Sequence, residues 1–267
     1  MPSWYPSDDR DYGGTFFKEQ AEALQEEGWN ITVAYVETRS VRKIIKDRIY
    51  RSWTPGFFKI NTPLREYRYR IYNYFMKIPF GKEYLIYRKL KWMIYKIEKE
   101  EGKIDLIHLH SFLSHGYAVR RICKSRNIKY LLTEHFSGIA QGFVKRYQKE
   151  ILRKTLAQAD KLFAVGPGLV KDLGNYSTKK IDIIPNMVNT DLFEIKNKSR
   201  SELFVFLSIG SLEYKKGFDL LIKSFDIVYR SNKAVRLIIV GEGSKRNELM
   251  KLVESLDLAN SITFMGK

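Results

Sequence analysis

Three glycine-bearing turns and a set of histidines are the residues of this chain whose types and spacing could do chemistry. The first turn is Gly210-Ser211-Leu212-Glu213-Tyr214-Lys215-Lys216-Gly217, which follows an apolar run of strand length and precedes an amphipathic stretch of helix length. A helix N-terminus presents free N–H groups and the positive end of a dipole, so anions bind there, and a lysine on the same turn adds a full charge. Lys216 is the residue placed to supply that charge. The competing reading is a pair of solvated lysines and a glycine that only starts the helix.

The second turn, Gly241-Glu242-Gly243-Ser244, again lies between a strand pattern and a helix pattern. It offers Gly-x-Gly, but Arg246 stands where a dinucleotide fingerprint needs its third glycine or alanine, which argues against a dehydrogenase. A tight turn that needs glycine for its backbone angles accounts for the same residues as well as nucleotide contact does. The third turn, Gly13-Gly14, would let the backbone approach a phosphate or sugar because no Cβ intervenes, and an ordinary turn before a helix fits it equally.

Of the histidines, His108 and His110 lie two apart on a strand pattern and so face the same side, a spacing that metal ligands also use. No cysteine pattern or second carboxylate beyond Glu134 accompanies them or His115, so packing and hydrogen bonding are preferred to a metal site. His135 ends the run Leu131-Leu132-Thr133-Glu134-His135. That is the C-terminal end of an expected parallel strand, where open α/β sheets bind ligands, and it would face a cleft between domains. A satisfied structural histidine is the alternative there. Neither a Gly-x-Ser-x-Gly elbow nor a Walker lysine pattern occurs, so hydrolase and P-loop chemistry lack support.

Positioning these groups requires strands that alternate with helices. Apolar runs predict strands over 31–36, 105–110, 129–133, 161–165 and 181–184, then over 203–209, 235–240 and 262–265. Amphipathic spacing predicts helices over 15–27, 116–125, 144–159, 168–173, 218–229 and 245–256. This alternation implies βα units on parallel sheets. A polar interval with Pro185-Asn186 predicts a first domain over 1–185, a linker over 186–200 and a second domain over 201–267. The Gly13-Gly14 turn should follow a buried strand, yet few residues precede it, and the last strand has nothing after it. The first strand and most of the second domain are therefore expected to be missing.

Composition narrows the class. Across 267 residues, 44% are hydrophobic, enough to bury a core, and 47 Lys+Arg against 30 Asp+Glu leave a net charge of +17. Such a field recruits polyanions, phosphorylated small molecules, anionic lipid and nucleic acid alike. A basic and aromatic segment from Lys59 to Lys99 suggests a surface that meets anions beside apolar matter, with a helical face packed on the domain under solvated lysines as the alternative. No nucleic-acid-binding motif accompanies the charge, so a nucleic-acid partner is not expected. No run approaches the roughly 18 apolar residues of a membrane span, and the start lacks a signal-peptide pattern. With one cysteine, Cys123, a reduced cytoplasmic setting is expected.

Together the motifs resemble family 4 retaining glycosyltransferases of the GT-B fold. The resemblance rests on Ser3-Trp4-Tyr5-Pro6 with Gly14-Thr15-Phe16-Phe17-Lys18-Glu19, on Ile107-His108-Leu109-His110, and on Thr133-Glu134-His135. It continues through Ala159-Asp160-Lys161, Ile184-Pro185-Asn186-Met187-Val188-Asn189-Thr190-Asp191-Leu192-Phe193, the turn 210–217 and Val240-Gly241-Glu242-Gly243. It implies two Rossmann-like parallel-sheet domains facing a cleft, the first on the acceptor side, the second holding a nucleotide-sugar donor. The implied activity is transfer of a sugar from a nucleotide-diphosphate sugar, UDP- or GDP-linked, to a glycan, lipid-linked or other cell-envelope acceptor, with retention and with no metal or further cofactor. An anionic membrane surface is the further partner expected.

By the same resemblance, Lys216 contacts the donor diphosphate, Gly14 lets the first-domain loop approach it, His135 sits by the reacting sugar, and Gly241 and Glu242 lie near the nucleoside. Three departures stand out. Ser211 occupies the position of a common arginine, Asn189 replaces a commoner aspartate, and the Glu-x7-Glu pair expected after Gly266 is absent from the sequence. Ser211 and the missing glutamate pair favour, as an alternative, a non-catalytic fragment that keeps a nucleotide-sugar-like cleft.

Overall fold

The computed structural model describes residues 1–6, 11, 13–40, 53–61, 63–75, 78–193 and 203–266. The chain forms two compact units, Met1–Phe193 and Glu194–Lys267. The larger unit opens with α1 (Thr15–Glu26), β1 (Thr32–Ser40), β2 (Gly56–Ile60), β3 (Arg65–Asn73) and α2 (Gly81–Glu101). It continues with β4 (Leu106–His110), α3 (Gly116–Arg126), β5 (Lys129–Glu134), α4 (Arg146–Gln158), β6 (Lys161–Ala164), α5 (Pro167–Gly174) and β7 (Ile181–Ile183).

Strands β4, β5, β6 and β7 form a four-stranded sheet in that order, every pair parallel, with Leu131 opposite Lys161 and His110 opposite Thr133. Beside the end of β4, residues 1–3 make one parallel bridge, Pro2 opposite His110. The strands are short and apolar because helices cover them. Leu109, Leu132, Leu152 and Leu156 are wholly buried, and α2 contributes Ile86, Leu90, Met93, Ile94 and Ile97 at helical spacing to the same core.

A second sheet of this unit, β1-β3-β2, goes beyond the apolar pattern, which marks only β1. β3 lies parallel to β1 and antiparallel to β2, with Thr32 opposite Arg65 and Gly56 opposite Arg70. Its sequence hides it, because charges and aromatic rings alternate where hydropathy shows no apolar run. The fold satisfies those charges internally. Arg68 pairs with Glu66 at 3.4 Å, Arg70 with Glu37 at 3.1 Å and Lys59 with Glu100 at 2.8 Å, while Arg65 bonds Glu101. Tyr67 is wholly buried, its hydroxyl donating to Glu100 at 2.7 Å.

The segment from Lys59 to Lys99 is therefore not one anion-facing surface. Its first part is a paired sheet, and only the outer side of α2 leaves its cations in solvent; Met76 and Lys77 lie outside the described residues. Helix α2 lies outside the expected helices although its apolar stripe, Ile86, Leu90, Met93, Ile94 and Ile97, keeps helical spacing; the cations and rings on its other faces make the segment read as a surface.

The smaller unit contains β8 (Phe204–Ile209), α6 (Phe218–Ser231), β9 (Val235–Val240), α7 (Arg246–Ser255) and β10 (Ile262–Gly266). The strands form a parallel sheet in the order β10-β9-β8. Leu237 and Ile239 of β9 pack with Phe218, Ile222 and Phe225 of α6 and with Leu249 and Val253 of α7. Alternation along β9 is strict, buried and half-buried residues taking turns, as expected for a strand with one face under helices.

Candidate functional sites at the two sheet edges

In the smaller unit the turn after β8 and the turn after β9 lie against one another at the C-terminal edge of the sheet. Gly210 N–H donates to Val240 O at 3.0 Å, Leu212 N–H to Glu242 O at 3.0 Å and Lys245 N–H to Leu212 O at 2.9 Å. The Glu213 carboxylate closes the same seam by accepting from Ser244 N–H at 3.0 Å and Ser244 Oγ at 2.8 Å, contacts that hold its pKa below the usual carboxylate range. Gly241 has φ 146°, and a Cβ there would stand 1.9 Å from Gly210 O. Glycine at this position is thus explained by the approach of two backbones, whatever else the turn does.

Between the seam and α6, Tyr214–Lys216 form a single 3₁₀ turn and Gly217 caps the helix in the left-handed region at φ 68°. No side chain caps the first turn of α6. Lys215 and Lys216 are exposed, and Lys216 has no salt bridge among the described residues. Uncapped N–H groups with an exposed lysine one residue before the cap make a site suited to phosphate oxygens. Ser211 is exposed on the same loop, and Glu242 faces Arg246 at 3.4 Å. Ser211, Lys216, Gly241 and Glu242 therefore share one edge.

In the larger unit the corresponding edge is built around Glu134. This carboxylate, the last residue of β5, is wholly buried and accepts from Phe112 N–H at 3.1 Å, His135 N–H at 3.0 Å and Phe136 N–H at 2.9 Å. Burial raises its pKa, and the Ser111 hydroxyl and the three backbone donors pull the other way. It ties the loop after β4 to the loop after β5. In the sequence Glu134 is no more than a neighbour of histidines; its role requires knowing that two loops meet there. Ser111, next to the tether and wholly buried, is held at φ 62°, a conformation uncommon for any residue but glycine.

His135 lies directly beyond the tether. Its ring meets Phe17 edge-on at 4.8 Å and Phe16 at 5.1 Å, and its Nε2 is 3.3 Å from His110 Nδ1. Burial pushes its pKa down to about 4, the Asn186 side chain opposing slightly, so the ring is neutral near pH 7. His108 bonds Thr133 Oγ1 at 2.8 Å, and burial lowers it to about 3. Among the described residues no three His, Cys, Asp or Glu side chains converge as metal ligands. Two of the histidines noted for metal spacing thus bond a hydroxyl and another ring.

Gly14 caps α1 with φ 87° and is buried, where a Cβ would meet Trp4 O at 3.1 Å and Phe17 at 3.0 Å. It is shaped by its own neighbours, and through Phe17 it shares an edge with His135. A cavity of about 520 Å³ lies elsewhere, between Arg120, Lys129 and Asp160 at the N-terminal ends of β5 and β6. It stands at the end of the sheet away from these groups and takes no part in the site, since parallel sheets bind ligands at their carboxyl ends.

Two units, each with a parallel sheet whose polar groups gather at its carboxyl edge, are the components of the GT-B fold. The chain belongs to Glycosyltransferase Family 4, whose model matches residues 13–192, and residues 189–267 match Glycosyl transferases group 1. It is 25% identical to a phosphatidylinositol N-acetylglucosaminyltransferase subunit of Arabidopsis thaliana over 61% of this chain and 38% of that one. It is 24% identical to the alpha-monoglucosyldiacylglycerol synthase of Streptococcus pneumoniae over 62% of this chain and 43% of that one. The match thus spans about two-fifths of the length of these relatives. The E. coli trehalose-6-phosphate structure bound with UDP-2-fluoro glucose shares the fold, at 8% identity and a TM-score of 0.63, over 100% of this chain and 72% of that one.

Proposed function

We propose that this chain takes part in moving a sugar from a nucleotide-diphosphate sugar, UDP- or GDP-linked, to a lipid-linked or other cell-envelope glycan acceptor, with retention at the anomeric carbon. The observation that carries the reading is the uncapped first turn of α6 with Lys216 beside it. Departure of a nucleoside diphosphate builds negative charge on phosphate, and fixed N–H groups with an ammonium stabilise that charge more in the transition state than in the ground state. His135, neutral at working pH and held by the Glu134 tether, would lie by the sugar as a hydrogen-bonding group. Glu242 and Gly241 would line the nucleoside side and Gly14 the approach of the first unit. No metal or further cofactor is invoked.

A lipid acceptor draws support from the names of the two relatives, one specifying phosphatidylinositol and the other a glucosyldiacylglycerol product. It implies work at a membrane face, in the cytoplasm. Ser211, in place of the common arginine, favours a second reading in which the donor is held without turnover. Calorimetric titration with UDP- and GDP-sugars, followed by nucleoside diphosphate release with and without lipid acceptor, separates the two. Binding with release and an α-configured product from an α-linked donor supports transfer; binding without release supports the second reading; no binding of any donor overturns both.

A further inference from the structure

We infer that the outer face of α2 docks on an anionic lipid bilayer. Tyr84, Arg88, Lys91, Trp92, Tyr95 and Lys99 succeed one another at steps of four, three, one, three and four, so they share one side of the helix. All six are exposed, the three rings by 50%, 43% and 58%. From Tyr84 to Lys99, fifteen helical steps, the stripe runs roughly 22 Å. The acids of α2 are buried or paired: Glu83 is buried, Glu98 bonds Arg126, Glu100 bonds Lys59 and Lys96, and Glu101 bonds Arg65.

Among the described residues, Arg88, Lys91 and Lys99 have no ion-pair partner, whereas Lys59, Arg65 and Lys96 on the neighbouring surface are all paired, Lys59 twice. On this side of the helix, unpaired cations therefore stand between exposed rings. Trp92 is braced from beneath by Phe57 at 5.0 Å and Tyr69 at 5.7 Å, which fixes a ring outward without burying it. Rigid amphipathic rings interleaved with cations match the boundary of a bilayer, where rings settle among headgroups and cations meet anionic lipid. A single-stranded polynucleotide also stacks on rings, but it requires a groove that tracks its backbone, and this face is a convex helix.

The stripe leads to the site. Lys82, in the first turn of α2, donates to Ser114 Oγ at 3.1 Å, and Ser114 lies in the loop after β4 whose Phe112 is held by Glu134. Ile78 and Phe80, 57% and 39% exposed, extend the apolar matter at that end. Docking would bring the His135 edge near the lipid surface. The docking itself stands on α2 alone; its use for a lipid-linked acceptor rests on the function proposed above.

The test is co-sedimentation of the full chain with phosphatidylcholine vesicles, with and without phosphatidylglycerol, at physiological salt. The chain should bind only the anionic vesicles. Arg88→Gln/Lys91→Gln/Lys99→Gln should weaken binding about 100-fold, and Tyr84→Ser/Tyr95→Ser should weaken it at low salt too. Lys124→Gln/Lys171→Gln/Lys251→Gln removes the same charge from other exposed positions and should change binding less than twofold. No sedimentation of the unaltered chain, or equal loss in the two lysine-containing triples, overturns the inference, as does stripe-dependent binding of single-stranded polynucleotide without vesicle binding. Donor titration in the absence of vesicles should be unaltered by the stripe variants, so failure of docking and failure of the proposed transfer are read separately.

Discussion

Glu134 Oε2 accepts a hydrogen bond from the Phe112 backbone N–H at 3.1 Å, across 22 positions of sequence. Together with the bonds to His135 and Phe136, this makes one carboxylate the joint between two loops at the carboxyl edge of the sheet. Replacing it by glutamine keeps one acceptor oxygen and turns an NH₂ group toward backbone donors. Glu134→Gln should therefore cost about 2–4 kcal/mol, lowering the thermal midpoint by about 5–10 °C. An unchanged midpoint would show that the three N–H groups do not need a carboxylate.

That joint was the least legible part of the candidate site. The apolar strands β5, β6, β8 and β9 and the helices between them can be read by period, because each buries a continuous face. β3 cannot, since Glu66 accepts from the Tyr5 hydroxyl, Arg68 donates to Pro6 O and Arg70 pairs with Glu37, all far off in sequence, and hydropathy records only the charge of the three. In the same way Gly241 reads as a turn glycine, while the backbone it must clear, Gly210, belongs to the preceding βα turn and is known as its neighbour only after folding. His135 could be placed at a strand end from sequence; the rings of Phe16 and Phe17 around it could not.

Lys216 is exposed and has no salt bridge among the described residues, so its removal should leave the fold intact while weakening anion binding. Lys216→Ala should reduce affinity for UDP or GDP by about tenfold or more, as expected for loss of a charge-assisted bond to phosphate, with an unaltered melting curve. The loss should shrink as salt rises, because exposed charges are screened. Equal titrations of the two proteins would remove Lys216 from the donor site.

Two glycines distinguish packing from permissiveness. Gly241→Ala would thrust a Cβ to 1.9 Å from Gly210 O at a φ that alanine avoids, and should cost about 3 kcal/mol or more in the smaller unit. Gly168, inside α5, has no atom within 4 Å of a built Cβ and no positive φ. Gly168→Ala should stabilise by about 0.5–1 kcal/mol. Chemical denaturation of both variants checks the pair, and a mild effect at Gly241 would mean the two turns part more easily than their hydrogen bonds suggest.

His115 supplies a prediction in pH. Its Nε2 accepts from Val36 N–H at 3.1 Å, so it joins β1 to the start of α3, and the ring is wholly buried. Burial lowers its pKa from 6.5 to about 3. The unfolded chain therefore takes up a proton that the folded chain refuses, and the stability His115 contributes above pH 6.5 is lost as pH falls toward 3. Each such group adds a slope of about 1.4 kcal/mol per pH unit within that window. Burial lowers His108, His110 and His135 as well, so the slopes add with one sign. Glutamine at position 115 can still accept from Val36 N–H but does not titrate. Urea unfolding of His115→Gln between pH 6 and 5 should show a shallower fall in stability than the unaltered chain by about one proton's share. An identical slope would mean that His115 is protonated in the fold, which would leave Val36 N–H without its acceptor.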